Sequence, residues 1–365
     1  MSVTVFLCGD VMTGRGVDQI LPHPGDPRLW EGYVRDARGY VKLAEAANGP
    51  IPAPVPVTWP WGDALAVLDQ ERPDARIINL ETSITSGGEP APGKGIHYRM
   101  SPANIGCIAA ARPDVCALAN NHVLDFGYQG LAETLDTLAA ARISMAGAGR
   151  DAADANRPAT VAIPERGRLV VRSVGTRSSG IPHSWAATGT RPGVALLADR
   201  PDRAAYAFGE ELASAKEPGD IVVVSIHWGP NWGYSVSTGH VELAHLLIDS
   251  GADVVHGHSS HHARPIEVYR DRLILYGCGD FINDYEGIAG NEEYRPDLRV
   301  MYLATLEAGT GRLLRLRMLP MRAERMRLRR ATTADVEHLC DILVQISDDF
   351  GTRCAQVDGM VELVR

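Results

Sequence analysis

Val254-Val255-His256-Gly257-His258-Ser259-Ser260-His261-His262 sets two β-branched residues before four imidazoles within seven residues. The apolar start and the glycine-broken polar continuation read as a buried strand running into a loop. Four imidazoles are hard to explain as core or as solvated face. In open α/β sheets ligands collect where loops leave the strand ends. The stretch therefore predicts a sheet with a ligand site at that edge. The bland alternative is a histidine-rich turn with incidental hydrogen bonds.

Four other segments repeat the device. Cys8-Gly9-Asp10-Val11-Met12-Thr13-Gly14-Arg15 follows a strand expected at 3–8, and Ile77-Ile78-Asn79-Leu80-Glu81 closes a strand at 75–80. Ala119-Asn120-Asn121-His122-Val123-Leu124-Asp125-Phe126-Gly127 follows a strand at 114–119 and precedes a helix. There an amide oxygen suits a hard cation, His122 can move protons, and Asp125 can fix its tautomer. Ser225-Ile226-His227-Trp228-Gly229 ends a strand at 220–226. Beyond the histidine loop, Gly279-Asp280-Phe281-Ile282-Asn283-Asp284 adds two carboxylates able to orient imidazoles. Taken singly, an Asp after a strand is more often a helix cap, and a lone His is more often structural.

Further strands are expected at 143–146, 159–163, 168–174, 253–256, 266–270, 272–277, 300–307 and 311–320. Leu131, Leu135 and Leu138 mark a helix over Gly130–Arg142, and Leu243, Leu246 and Leu247 one over His240–Ser250; a third spans Asp335–Ile346. Strand–helix alternation followed by closely spaced strands predicts two face-to-face sheets with helices outside both. Residues 1–325 are expected to form one catalytic domain, and 326–365 a C-terminal helix and extension packed on it. The Pro- and Trp-rich segment 21–60 reads either as a lid or substrate wall, or as an insertion packed on the surface by Trp59 and Trp61.

The chain has 365 residues, 45% apolar, with 36 Lys plus Arg against 45 Asp plus Glu and a net charge of -9. That acidity argues against nucleic acid or an anionic membrane as partner. Met1–Leu7 lacks the basic start and long apolar core of a secretory signal and reads as a first strand. No apolar run approaches the ~20 residues that cross a bilayer. The expected location is the cytoplasm, with the six scattered cysteines as thiols.

In the order GDVMTGR, NLETSIT, ANNHVLDFG, HWG, GHSSHH and YGCGDFI, the chain resembles the CapA family of poly-γ-glutamate capsule-associated proteins, a branch similar to calcineurin-type metallophosphatases. The resemblance implies a four-layer αββα sandwich. It implies that Asp10, Glu81, Asn121, His227, His258 and His261 line a metal centre, and that His122 stands where that fold keeps its acid/base histidine. Asp10-Val11-Met12 replaces the usual Asp-x-His, Asn79-Leu80-Glu81 the usual bridging Asp, and Gly257-His258-Ser259-Ser260-His261 is one residue longer than Gly-His-x-His. These departures point to one hard divalent ion (calcium, magnesium or manganese) and no organic cofactor.

Such a site suits inversion at the α-carbon of a peptide residue, which needs a base, an acid and an electrophile. The resemblance supports this, since CapA-like proteins include lasso-peptide epimerases acting on a precursor's C-terminus. Expected proton carriers are His122 with Asp10 or Asp125, and His258 or His261 with Asp280 or Asp284. Arg99 or Arg15 is expected to pair with a substrate carboxylate, and Trp228 to contact substrate. A metallophosphatase-type hydrolase with a reduced metal site is the second reading, and a capsule-related polymer-binding protein the third. The expected partner is a peptide or an anionic polymer.

Overall fold

The computed structural model describes residues 1–364. Its main elements in chain order are β1 (Ser2–Val11), α1 (Arg38–Asn48), α2 (Asp63–Glu71), β2 (Ala75–Leu80), β3 (Val115–Ala117), α3 (Gly127–Ala140) and β4 (Ser144–Ala146). Then come β5 (Ala159–Ile163), β6 (Gly167–Thr176), α4 (Arg203–Ala215), β7 (Ile221–His227), α5 (Thr238–Asp249) and β8 (Val254–His258). The chain closes with β9 (Ile266–Tyr269), β10 (Arg272–Leu275), β11 (Asp280–Ile282), β12 (Leu298–Glu307), β13 (Leu313–Ala323), α6 (Thr333–Ile346), β14 (Arg353–Val357) and β15 (Met360–Val364).

Two sheets carry the fold. The first runs β14-β15-β13-β12-β1-β2-β3-β4, parallel from β1 to β4 and antiparallel beyond β12. The second contains β6-β7-β8-β10-β9, parallel except for β9, with β5 antiparallel on its β6 edge. Side-chain alternation builds the layers. Val3, Val5 and Leu7 of β1 share one apolar cluster with Leu169, Val171, Val223 and Val254, so the sheets face each other. On the other side of β1, Phe6 and Cys8 join Leu131, Leu135 and Leu138 of α3. Val222, Val224 and Ile226 of β7 pack against Phe208 and Leu212 of α4 and Leu243 and Leu247 of α5. Strands buried on both faces read as unbroken apolar runs. The result is the expected four-layer αββα sandwich.

The C-terminal residues return as α6, opened by a capping box of Thr332 and Asp335, and as a hairpin whose β15 pairs with β13. Segment 21–60 lies against the outer face of the first sheet. Its Leu29, Ile51 and Val55, with Trp61 just beyond it, belong to the Phe6 cluster. The Trp61 indole donates to the Cys107 carbonyl (2.7 Å) and that of Trp59 to the Arg325 carbonyl (3.0 Å). Both tryptophans are thus held by packing. Cys8, Cys107, Cys116, Cys278 and Cys340 are buried free thiols, and Cys354 is half-buried.

The parallel strands of both sheets end on one side. There the register sets Asp10 beside Asn79 and Asp280, and His227 beside His258. The β1 ladder slips between Cys8 and Asp10. Gly9 makes this possible, because a Cβ there would overlap the Gly279 carbonyl, the same oxygen that accepts from the Asp10 N–H at 3.0 Å. Overlap with backbone has no flexible side chain to relieve it. Gly9→Ala is expected to cost about 3 kcal/mol, read as a lowered urea midpoint; an unchanged midpoint would disprove this close approach.

Candidate metal centre

Asp10 is fully buried, and its two carboxylate oxygens differ. Oδ1 accepts from Asn79 Nδ2 at 2.7 Å and lies 3.5 Å from the Ser259 N–H, whereas Oδ2 has no hydrogen-bond partner. A buried carboxylate oxygen left unpaired is costly. Two donor sets surround it. Asp10, His227 and His258 bring ligand atoms within 4.8 Å of one another, and so do Asp10, His261 and Asp280. The orphaned oxygen and the imidazole–carboxylate chemistry of both sets fit a divalent cation. The sequence predicts one ion; the structure presents two donor sets sharing Asp10.

The electrostatics agree. Burial, then repulsion from Asp280, pushes Asp10 up to about 7. Burial, then Asp10, holds the Glu81 carboxyl well above the usual range. Burial drives His227 and His258 well below the ordinary imidazole value, so both are neutral and able to ligate. For His261 burial opposes the charge, but Asp280 outweighs it and raises the pKa. The site is a cluster of carboxylates short of positive charge.

Each expected site residue has a definite place. The Asn79 amide bridges Asp10 and Glu81 Oε2 (3.2 Å), and Asn120 Nδ2 donates to the Asn79 side-chain oxygen (3.1 Å). Asn121 Oδ1 is 3.0 Å from His227 Nε2, and Glu81 Oε1 is 3.8 Å from the same nitrogen. His258 lies between His227 (Nδ1 to Nδ1, 2.7 Å) and Ser225 (2.9 Å). Fully buried and outside the cleft lining, His258 stands with the donor set rather than with the cleft histidines expected to carry protons. His256 bonds the Cys8 carbonyl and Ser225, and His262 packs among Trp232, Tyr234 and Tyr294. Of the four imidazoles, only His258 and His261 reach the centre. The turn between them holds Ser259 at φ 99, a conformation rare outside glycine that turns the chain back toward Asp10.

Two histidine–carboxylate pairs open on a cleft of about 490 Å³ lined by Glu81, Lys94, His122, Asn231, His261 and Tyr285 among others. His122 Nδ1 meets Asp125 Oδ2 at 2.6 Å, and His261 Nδ1 meets Asp280 Oδ1 at 2.8 Å. Asp125 is fixed further by the Tyr98 N–H (2.7 Å), and Asp280 by the Asn283 amide (2.6 Å). Of the alternatives open in the sequence, His122 takes Asp125 rather than Asp10, and His261 takes Asp280 rather than Asp284. Burial lowers His122 to about 4 although Asp125 acts against it.

None of Arg15, Arg99 and Trp228, expected to contact substrate, lines this cleft. Arg15 is buried and paired with Glu31 (2.8 Å) and Asp284 (2.5 Å), beneath the rings of Tyr40 and Tyr98. Tyr98 and Tyr285 share a hydroxyl hydrogen bond of 2.9 Å and pack edge-on against His122 and His261 respectively. Arg15 thus supports both histidine pairs from below. Arg99 pairs with Asp26 (3.3 Å) and lies over Phe126. Trp228 is buried, stacked on His240 and Tyr276. Sequence reasoning missed Lys94 and Tyr285; the only signal for Lys94 was a lone cation between two glycines, Gly93 and Gly95.

A carboxyl group whose folded pKa is raised keeps its proton longer in the folded state, so stability falls as pH climbs from its unfolded to its folded value. In chelator, the melting temperature is expected to fall between about pH 4 and pH 7, and Asp10→Asn should flatten that slope. Manganese should restore the neutral-pH melting temperature of the parent but not of His227→Ala. Equal manganese uptake by parent, Asp10→Asn and His227→Ala, measured by elemental analysis, would contradict these donor sets.

No helix is long and apolar enough to cross a membrane among the described residues. The chain matches the family described as bacterial capsule synthesis protein PGA_cap over residues 4–285. It is 54% identical over 364 residues to a probable polyglutamine synthesis accessory protein of Mycobacterium tuberculosis, covering 99% of this chain and 96% of that one. With the PGA biosynthesis protein CapA of Bacillus subtilis it shares 33% identity over 192 residues, 52% of this chain and 48% of that one. A 5'-nucleotidase precursor from Thermus thermophilus superposes at TM-score 0.49 and 16% identity over 94% of this chain and 59% of that one, too distant to bear on the site. By the span of the family match and the full-length relative, the chain belongs to the bacterial capsule synthesis PGA_cap family.

Proposed function

We propose that this protein is a metal-dependent acid/base enzyme acting on amide bonds of a glutamate polymer during its synthesis. The observation that carries the reading is the unpartnered Asp10 Oδ2 where two donor sets meet, beside a cleft holding two histidine–carboxylate pairs. The relatives' names supply the polymer: one is called a polyglutamine synthesis accessory protein, another a PGA biosynthesis protein.

Asp10, His227 and His258 would hold one ion, and Asp10, His261 and Asp280 a second position. A bound divalent ion supplies positive charge where an amide oxygen becomes negative. The chain's own residues do the rest. His122 uses Nδ1 on Asp125, which leaves Nε2, 3.7 Å from Glu81 Oε1, as the nitrogen that moves a proton. Because burial keeps this imidazole neutral, it starts as a base: it takes a proton from water as the water oxygen bonds the amide carbon, and returns it to the amine nitrogen as the C–N bond breaks, leaving a carboxyl and an amine end. The Tyr98 N–H and the Lys94 ammonium hold Asp125 ionised, which fixes the tautomer.

A second reading, inversion at the α-carbon of a peptide residue, draws on the same two pairs, since His122–Asp125 and His261–Asp280 both line one cleft. The two differ in product. The full chain with manganese is incubated with poly-γ-glutamate in heavy water. Amide chemistry gives new chain ends without deuterium at Cα; inversion gives deuterium at Cα and unchanged length. His122→Ala is expected to lower the rate of new ends by about 10²–10⁴-fold. Intact chain length with the parent protein would sink the amide reading.

A further inference from the structure

We propose that Lys94 selects acidic substrates by holding a substrate carboxylate at the cleft mouth while it keeps its contact with Asp125. This rests on the cleft being the substrate site. Lys94 supplies the one Lys or Arg among the described residues lining the cleft, in a chain of net charge -9. Glu81 lines the cleft, and the Asn79 amide links it to Asp10 behind. An anionic ligand entering there needs a cation near the mouth, and a compact ammonium with three donors can serve two carboxylates at once.

The surroundings favour that contact. The ammonium contacts Asp125 Oδ1 and the Asn121 carbonyl, and lies 3.1 Å from His122 Nδ1. Asp125 keeps this contact on Oδ1, while His122 and the Tyr98 N–H hold its other oxygen. The lysine side chain is 18% exposed, so a ligand reaches it without opening the fold. Gly93, at φ 74, and Gly95 flank it in open space, with no atom within 4 Å of where a Cβ would stand. The Trp185 ring, 5.2 Å away, lies beside the cation. A carboxylate held on Lys94 stands next to His122, which brings the neighbouring amide toward Nε2 and Glu81. Lys94 is therefore a positioning residue that sets specificity.

The test is calorimetric binding to the full chain with manganese, using an N-acetylated γ-glutamate trimer and its carboxamide counterpart. The parent is expected to prefer the acid by at least about tenfold. Lys94→Gln should weaken acid binding by about 10- to 100-fold and erase the preference, while Lys94→Arg keeps most of it. Matching thermal melts separate loss of charge from loss of fold, and Lys94→Arg carries the test if the glutamine variant melts early. A preference that survives in Lys94→Gln, or is absent from the parent, overturns the inference. A Lys94-dependent acid preference with no turnover by the parent removes the enzymatic reading and leaves this inference standing.

Discussion

Three carboxylates, Asp10, Glu81 and Asp280, are held out of water around one point, and their mutual repulsion is the constraint the site answers to. Like charges in a low-dielectric interior repel far more strongly than in water. Nearby protein cations relieve this only at the edges: Lys94 sits on Asp125, and Arg299 reaches the cluster through Asn283, which donates to Asp280. Neutral imidazoles on the opposite side complete the demand for a cation. The fold places that demand at the junction of two sheets, since Asp10 ends a strand of one and His227 and His258 end strands of the other.

Rigidity comes from a layer beneath. Arg15 is buried with two carboxylate partners, Glu31 and Asp284, so its charge is matched by geometry rather than by solvent. Over it stand Tyr98 and Tyr285, one edge-on to each of the two cleft histidines. Segment 21–60 contributes Glu31 and Tyr40 to this layer. Although it lines no part of the cleft, the insertion acts on the site by fixing Arg15.

The departures from the two-metal pattern also find a physical account. Met12 stands where the resemblance would place an imidazole, and its sulfur accepts from the Tyr285 hydroxyl at 3.8 Å. The second donor set draws instead on Asp280, which β11 brings beside Asp10 in register.

Periodicity in the chain was enough to read the four layers, because alternation along β1 and leucine spacing along α3 are local properties. Residue type after each strand end was enough to gather Asp10, Glu81, Asn121, His122, His227, His258 and His261 as candidates, since loops at parallel strand ends share one side of a sheet. Pairings were not legible. That His122 takes Asp125, that His261 takes Asp280, and that Asp284 goes to Arg15 depend on side-chain direction and distances across both sheets. Arg15, Arg99 and Trp228 carry groups suited to binding, and sequence cannot say whether a charged or aromatic group ends in a cleft or beneath it. Lys94 shows the converse, a loop cation without a motif whose role follows from where tertiary contacts place its ammonium. Composition and spacing fix which chemistry is available; burial and long-range proximity decide which atoms share it.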